Sequence, residues 1–157
     1  MGLGGLASKA RAAFAELSPA EQLGLAGAAA LPASMLFPWY GFKLGSTLSA
    51  TAFDAFNLAH AVLLLTAGAV GWMLLLRSRR DWPRPLDDGA LLIVAGVWSL
   101  LVLAFLVADP PDLIVDTLPI GGVEIRYGMF VALAGAGAMV AAGVRIRRER
   151  TASSDES

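Results

Sequence analysis

Phe53-Asp54-Ala55-Phe56-Asn57-Leu58-Ala59-His60, continued by Ala61-Val62-Leu63-Leu64-Leu65-Thr66-Ala67-Gly68-Ala69-Val70-Gly71-Trp72-Met73-Leu74-Leu75-Leu76 and closed by Arg77-Ser78-Arg79-Arg80, is the stretch that sets the class of this chain. From Ala61 onward it carries no charge. At about 1.5 Å of rise per residue, a run of about 24 residues exceeds the roughly 30 Å hydrocarbon thickness of a bilayer. It reads as a transmembrane helix over 53–76. Its first third holds Asp54, Asn57 and His60, the one cluster of reactive polar groups inside an apolar run.

Composition carries the same reading to the rest of the chain. Of 157 residues, 57% are hydrophobic and 16% charged, with a mean hydropathy of +0.66, outside the usual range of soluble globular domains. There is room for about four spans with short connections. No separate catalytic domain fits, so any chemistry must sit within or beside the helices. Cysteine is absent, which removes disulfide, thiolate and iron–sulfur chemistry.

Residues 1–17 are weakly amphipathic, with Leu6, Ala10, Phe14 and Leu17 opposite Lys9, Arg11 and Glu16, as in a short helix lying on a membrane surface. A secretory signal is the competing reading, disfavoured because the apolar run starts late and more spans follow. The first span starts at Ser18-Pro19-Ala20-Glu21, a capping box with proline at the first helical position, and runs to about residue 37. Ala20, Gly24 and Ala28 form a small-residue ridge that lets another helix approach closely, and Pro32 predicts a kink that frees the Ala28 carbonyl. Phe37-Pro38-Trp39-Tyr40 reads as an interfacial aromatic belt. A short strand is expected in Gly41–Thr51. After the basic turn Arg77–Pro85, Asp87 or Asp88 caps a third span, 89–108. The connection Asp109–Arg126 places Leu113-Ile114-Val115 and Val123–Tyr127 around Pro119-Ile120-Gly121-Gly122, a strand–turn–strand pattern. The last span, 127–144, carries a ridge of Gly128, Ala132 and Ala136 with Gly135 and Gly143 nearby. Residues 147–157 are expected to be a disordered tail.

Ten of the twelve Lys and Arg residues fall on one side of these spans and two, Lys43 and Arg126, on the other. The positive-inside rule then puts both termini in the cytoplasm. Arg77, Arg79, Arg80, Arg84, Arg145, Arg147 and Arg148 would also attract anionic lipid, at about 1 kcal/mol each near the surface. His60 lies on the order of 10 Å below the end of its span, where an ionisable group marks a functional site by default. Asn57 shares its face, but Asp54 lies about 240° around from His60 on a helix, so the three are not one compact ligand set. A single histidine supplies neither a zinc triad nor a bis-histidine haem. The plain alternative is a neutral histidine hydrogen-bonded across the helices, towards the Ala28 carbonyl or a water. Trp98, near the middle of its span beside Ser99, is a further candidate because its indole N–H needs an acceptor.

Phe37-Pro38-Trp39-Tyr40, then Ala52-Phe53-Asp54-Ala55-Phe56 and Tyr127-Gly128 opening the last span, resemble a pattern in uncharacterised small four-span integral membrane proteins of high-GC bacteria. The resemblance implies four helices with small outer loops and no assigned activity.

The expectation is therefore an all-α fold, a four-helix transmembrane bundle (18–146) in the bacterial inner membrane, both termini cytoplasmic, its outer loops forming short β-strands. Its expected role is that of a non-catalytic accessory or scaffold protein binding lipid or other membrane proteins, without metal, cofactor or nucleic acid. The alternative is a small oligomeric channel or transporter with a path near His60, Asn57 and Asp54. A homo-oligomer and a membrane-protein partner both remain open.

Overall fold

The computed structural model describes residues 11–12, 14–44, 46–54, 56–76, 87–109 and 121–155. It is mostly helical: α1 (Pro19–Ser34), α2 (Leu58–Leu76), α3 (Asp88–Ala108) and α4 (Tyr127–Asp155), with strands β1 (Pro38–Leu44), β2 (Ser46–Thr51) and β3 (Gly121–Ile125). The expected turn Arg77–Pro85, the Leu113–Val115 strand and Lys9 lie outside the described residues, as do Arg77, Arg79, Arg80 and Arg84.

Helix starts follow their caps. Ser18 Oγ accepts from Glu21 N at 3.3 Å while Glu21 Oε2 accepts from Ser18 N at 2.9 Å. Asp87 caps α3 by accepting from Ala90 N at 2.6 Å. Ahead of α1, Arg11, Ala12, Phe14 and Ala15 are helical, and Gln22 Nε2 donates to the Phe14 and Leu17 carbonyls at 3.3 and 3.1 Å, tying that turn down.

Three boundaries differ from expectation. The first helix, α1, stops at Ser34, two residues after Pro32 and short of the expected 37. Lacking the Pro32 amide, the chain closes with one-turn bonds from Met35 N to the Pro32 carbonyl and Phe37 N to the Ser34 carbonyl, at 3.2 and 3.0 Å. The second helix starts at Leu58, not Phe53, because the preceding residues form a side-chain-bonded turn. The last helix runs beyond 144 to Asp155, through the stretch expected to be a disordered tail. Arg, Glu and Ile keep it going, and Thr151 and Ser154 hydroxyls donate back to the Arg147 and Arg150 carbonyls, both at 3.0 Å.

Length separates the helices. Among the described residues two, α3 and α4, are long and apolar enough to cross a membrane by themselves. The 16-residue α1 and the apolar Leu58–Leu74 of α2 are shorter.

Neighbouring helices run antiparallel, and glycine sets their spacing. A Cβ built on Gly27 would meet the Gly135 carbonyl oxygen at 2.5 Å, and one on Gly135 the Gly27 oxygen at 2.8 Å. Between α3 and α4 the same reciprocity joins Gly89 and Gly143, at 2.9 and 2.5 Å, and Gly96 sits on the Ala136 carbonyl at 2.9 Å. Such contacts leave only backbone between helices, which maximises van der Waals contact. Helix α2 packs on α1 and α3, with Leu25 against Gly71 at 3.8 Å. The core enclosed by the four helices is Leu31, Met35, Leu63, Val70, Leu92, Leu103, Leu106, Met129 and Met139, with alanines between them.

The strands form one antiparallel sheet in the order β2-β1-β3. Tyr40 pairs with Ala50 on one side and Ile125 on the other. This sheet lies where α1 ends and α2 and α4 begin. Ion pairs mark the far end, where Arg150 on α4 reaches Asp87 at 3.9 Å and Asp88 at 3.6 Å on α3.

Candidate functional site: the His60 cluster under the sheet

Asn57 stands just before α2 and caps it. Its Oδ1 accepts from His60 N at 3.3 Å and lies 2.8 Å from His60 Nδ1. The Asn57 N–H in turn lies 3.3 Å from Nδ1. Asn57 thus supplies one half of a capping box, and the other half is not made, because a ring nitrogen that donates to Oδ1 at 2.8 Å does not also accept from the Asn57 N–H. An amide oxygen can only accept, so the 2.8 Å contact puts the ring proton on Nδ1 and leaves Nε2 as an acceptor. That Nε2 is buried and has no hydrogen-bond partner among the described residues. His60 as a whole is 0% exposed. The expected bond to the Ala28 carbonyl is therefore not made.

Aromatic rings cover the imidazole on two sides. Trp39 lies 5.2 Å away and Phe56 6.0 Å away, and Phe53 stacks on Phe56 at 6.3 Å, so four rings lead from an exposed phenylalanine to a buried tryptophan. Trp39 is anchored from α1, from α4 and from Arg126 between β3 and α4. Its Nε1 donates to the Ser34 carbonyl of α1 at 2.8 Å, its own carbonyl accepts from Arg126 N at 2.8 Å, and Gly128 of α4 packs directly on the indole. Trp39 and Tyr40 are thus interior residues, not the expected aromatic belt. Among the described residues, exposed aromatic rings of this end include Phe37 and Tyr127, 5.7 Å apart, with Phe53 and Phe56.

Asp54 stands apart from His60. Outside the helix and fully exposed, it accepts from Thr51 N and Thr51 Oγ1, both at 2.8 Å. The Thr51 backbone N–H first, and its hydroxyl second, hold the Asp54 carboxyl below the ordinary carboxylate range. With the folded value lowered, the turn's contribution is present above that range and lost as pH falls through it. The protection of the Thr51 amide against hydrogen exchange, relative to its intrinsic rate at each pH, should fall at acid pH, and Asp54→Asn should remove that pH dependence. An unchanged profile in Asp54→Asn would show that this carboxylate does not hold the turn.

Trp98 also takes a different place from the expected one. It is 50% exposed on the outward face of α3, while Ser99 beside it is buried with no partner for its Oγ among the described residues. A second hydroxyl, Tyr40 OH, is buried and unpartnered in the same sense, and burial pushes the Tyr40 phenol up to about 12. Ser99 was legible from its spacing of three from Gly96 and four from Leu103; nothing local to Tyr40 signalled that it would be enclosed.

Most polar groups here are therefore spent on local structure: Asn57 on a cap, Asp54 on a turn. Among the described residues no group of three or more His, Asp or Glu could hold a metal ion. Asn57→Ala should cost about 1 kcal/mol through the lost cap, read as a lower midpoint in a detergent unfolding titration. An unaltered midpoint would remove the cap from the account of why α2 starts at Leu58. The chain matches no family model, no curated protein and no solved structure.

Proposed function

We propose that this is a four-span integral membrane protein with both termini in the cytoplasm, acting as a non-catalytic accessory or scaffold protein that associates with lipid and with other membrane proteins. It would be of the kind that Phe37–Tyr40 and Ala52–Phe56 resemble. The observation that carries the reading is an inverted surface. Leu65, Trp72 and Met73 on α2, Val94, Trp98, Leu101 and Phe105 on α3 and Phe130 on α4 are exposed, while Ser34, His60 and Ser99 are fully buried. An apolar exterior of that extent needs lipid or a partner helix over it. The short α1 fits because exposed Leu36 and Phe37 extend its apolar length, and modest mismatch is absorbed by the bilayer at a fraction of a kcal/mol per Å.

A channel or transporter is the second reading, favoured by the bare His60 Nε2. Against it, the imidazole packs on two aromatic rings, Asn57 is used in capping α2 at His60, and Asp54 is held in the Thr51 turn.

Because the chain has no cysteine, single cysteines report topology without background. Ser49→Cys in β2 should react with a membrane-impermeant maleimide in intact cells, and Thr151→Cys in α4 only after permeabilisation. The reverse pattern, or equal labelling of both, would overturn the orientation. Gentle extraction followed by mass and identity then separates the roles. A defined, stoichiometric second protein supports the accessory reading. A homo-oligomer without companion, whose flux in liposomes is lost in His60→Ala, supports the channel.

A further inference from the structure

Helix α4 carries two arginine pairs on opposite faces, and the structure uses only one of them internally. At about 100° per residue, Gly143, Arg147 and Arg150 share the face turned to α3. A Cβ on Gly89 would meet Arg147 Cγ at 2.7 Å, and Arg150 pairs with Asp87 and Asp88. Arg145 and Arg148 lie roughly half a turn around the helix from that face. Both are exposed, and neither has an ion pair among the described residues.

The face they occupy is continuous with the exposed stripe Tyr127, Phe130, Ala134 and Ala141. One side of α4 thus runs from a tyrosine through apolar residues directly into two guanidinium groups that form no ion pair among the described residues. The distance is informative. Tyr127 and Arg145 are 18 residues apart, about 27 Å of helix, close to the roughly 30 Å of bilayer hydrocarbon. An aromatic ring at one boundary and a cation at the other are the usual interfacial anchors of a span.

We infer that Arg145 and Arg148 form a contact site for the headgroup of an anionic phospholipid in the leaflet at the far end from the sheet, whereas Arg147 and Arg150 clamp α4 to α3. The inference rests on the membrane reading above and divides the expected set of lipid-contacting arginines into two roles. Planar guanidinium groups suit a phosphate because they present paired N–H donors. Of the acidic groups at this end, Asp87 and Asp88 are engaged by Arg150, and the exposed Glu149 beside Arg148 makes no ion pair with Arg145 or Arg148 among the described residues.

The test uses the full chain purified in a neutral detergent, with phosphatidylglycerol or phosphatidylcholine of matched acyl chains added, and lipid retention read by native mass spectrometry. Wild type should retain phosphatidylglycerol preferentially, and Arg145→Gln with Arg148→Gln should reduce that preference by about thirtyfold. The central loop is unchanged in both proteins, so its arginines do not contribute to the difference. Arg147→Gln with Arg150→Gln should keep the preference in the folded fraction while lowering the unfolding midpoint. Soluble glycerol phosphate at millimolar concentration should not displace the lipid. The site is overturned if the first double variant keeps its preference, if the second loses it while still folded, or if soluble phosphate displaces the lipid. Wild type that retains both lipids equally defeats this inference alone; wild type that retains neither defeats the membrane reading.

Discussion

Gly27→Leu and Gly135→Leu are each expected to destroy the packing of α1 on α4, at a cost of about 3 kcal/mol or more, the top of the range for over-packed sites. The obstacle at each position is the backbone of the opposite helix. A Cβ on Gly27 meets the Gly135 carbonyl oxygen at 2.5 Å, and the reciprocal contact is 2.8 Å. A flexible side chain could rotate away, but a carbonyl held in a helix cannot, so the helices must separate. Separation also removes Ala28, Leu31, Ala132, Ala136 and Met139 from contact. Against a total stability of about 5–15 kcal/mol, such a loss should appear as aggregation on extraction or as a strongly lowered midpoint in detergent unfolding. The control is in the same protein. Gly68 on α2 has nothing within 4 Å of its built Cβ, so Gly68→Leu should fold as wild type does. If Gly68→Leu proved as damaging as Gly27→Leu, the interhelical contacts described for α1 and α4 would be wrong, or Gly68 would face an unseen second chain.

That contrast shows how far the sequence could be read. Glycine and alanine ridges announced close approach on α1 and α4, and capping residues announced where α1 and α3 begin, because both signals are local. The partner of each ridge was not local. Nothing in the order of residues says that Gly27 meets Gly135, or that Gly143 is taken by Gly89. Sidedness failed for Trp98 for a related reason. In a helix apolar all round, depth along the axis carries no information about which face turns inward; the small residues Gly89, Gly96 and Ser99 mark the buried face. Asp54 was misplaced because the apolar run was read as helical from Phe53, whereas Thr51 offers its carboxylate two donors before the helix can start. At His60 the shared face of Asn57 and His60 was legible from their spacing of three, and the cap that Asn57 makes to His60 N follows from the same spacing. Of the two rings against His60, Phe56 is four residues away and was within local reach, whereas Trp39 comes from β1, 21 residues earlier, a contact that the fold of the sheet creates.

Trp39→Ala is expected to be the most damaging single truncation at the sheet end, about 3–5 kcal/mol, the usual cost of removing a buried tryptophan. Trp39 is fully buried and joins four elements: β1, which carries it; α1 through the Ser34 carbonyl; α2 through the His60 ring; and α4 through Gly128. Its removal would leave a cavity beside an imidazole whose Nε2 lacks a partner among the described residues, and would take one of two donors from the Ser34 carbonyl, which keeps Phe37 N. Trp39→Phe separates the two effects. A phenyl ring keeps much of the packing on His60 and Gly128 but cannot donate to Ser34, so it should cost less than alanine, with about 1 kcal/mol of that due to the lost bond. Trp98 supplies the comparison, since half of it is exposed on the outward face of α3. Trp98→Ala should change the unfolding midpoint little. Measured side by side in the same micelle, the order Trp39→Ala, Trp39→Phe, Trp98→Ala tests which tryptophan is interior. If Trp98→Ala were the costliest, α3 would be turned the other way, and Ser99 rather than Trp98 would face lipid.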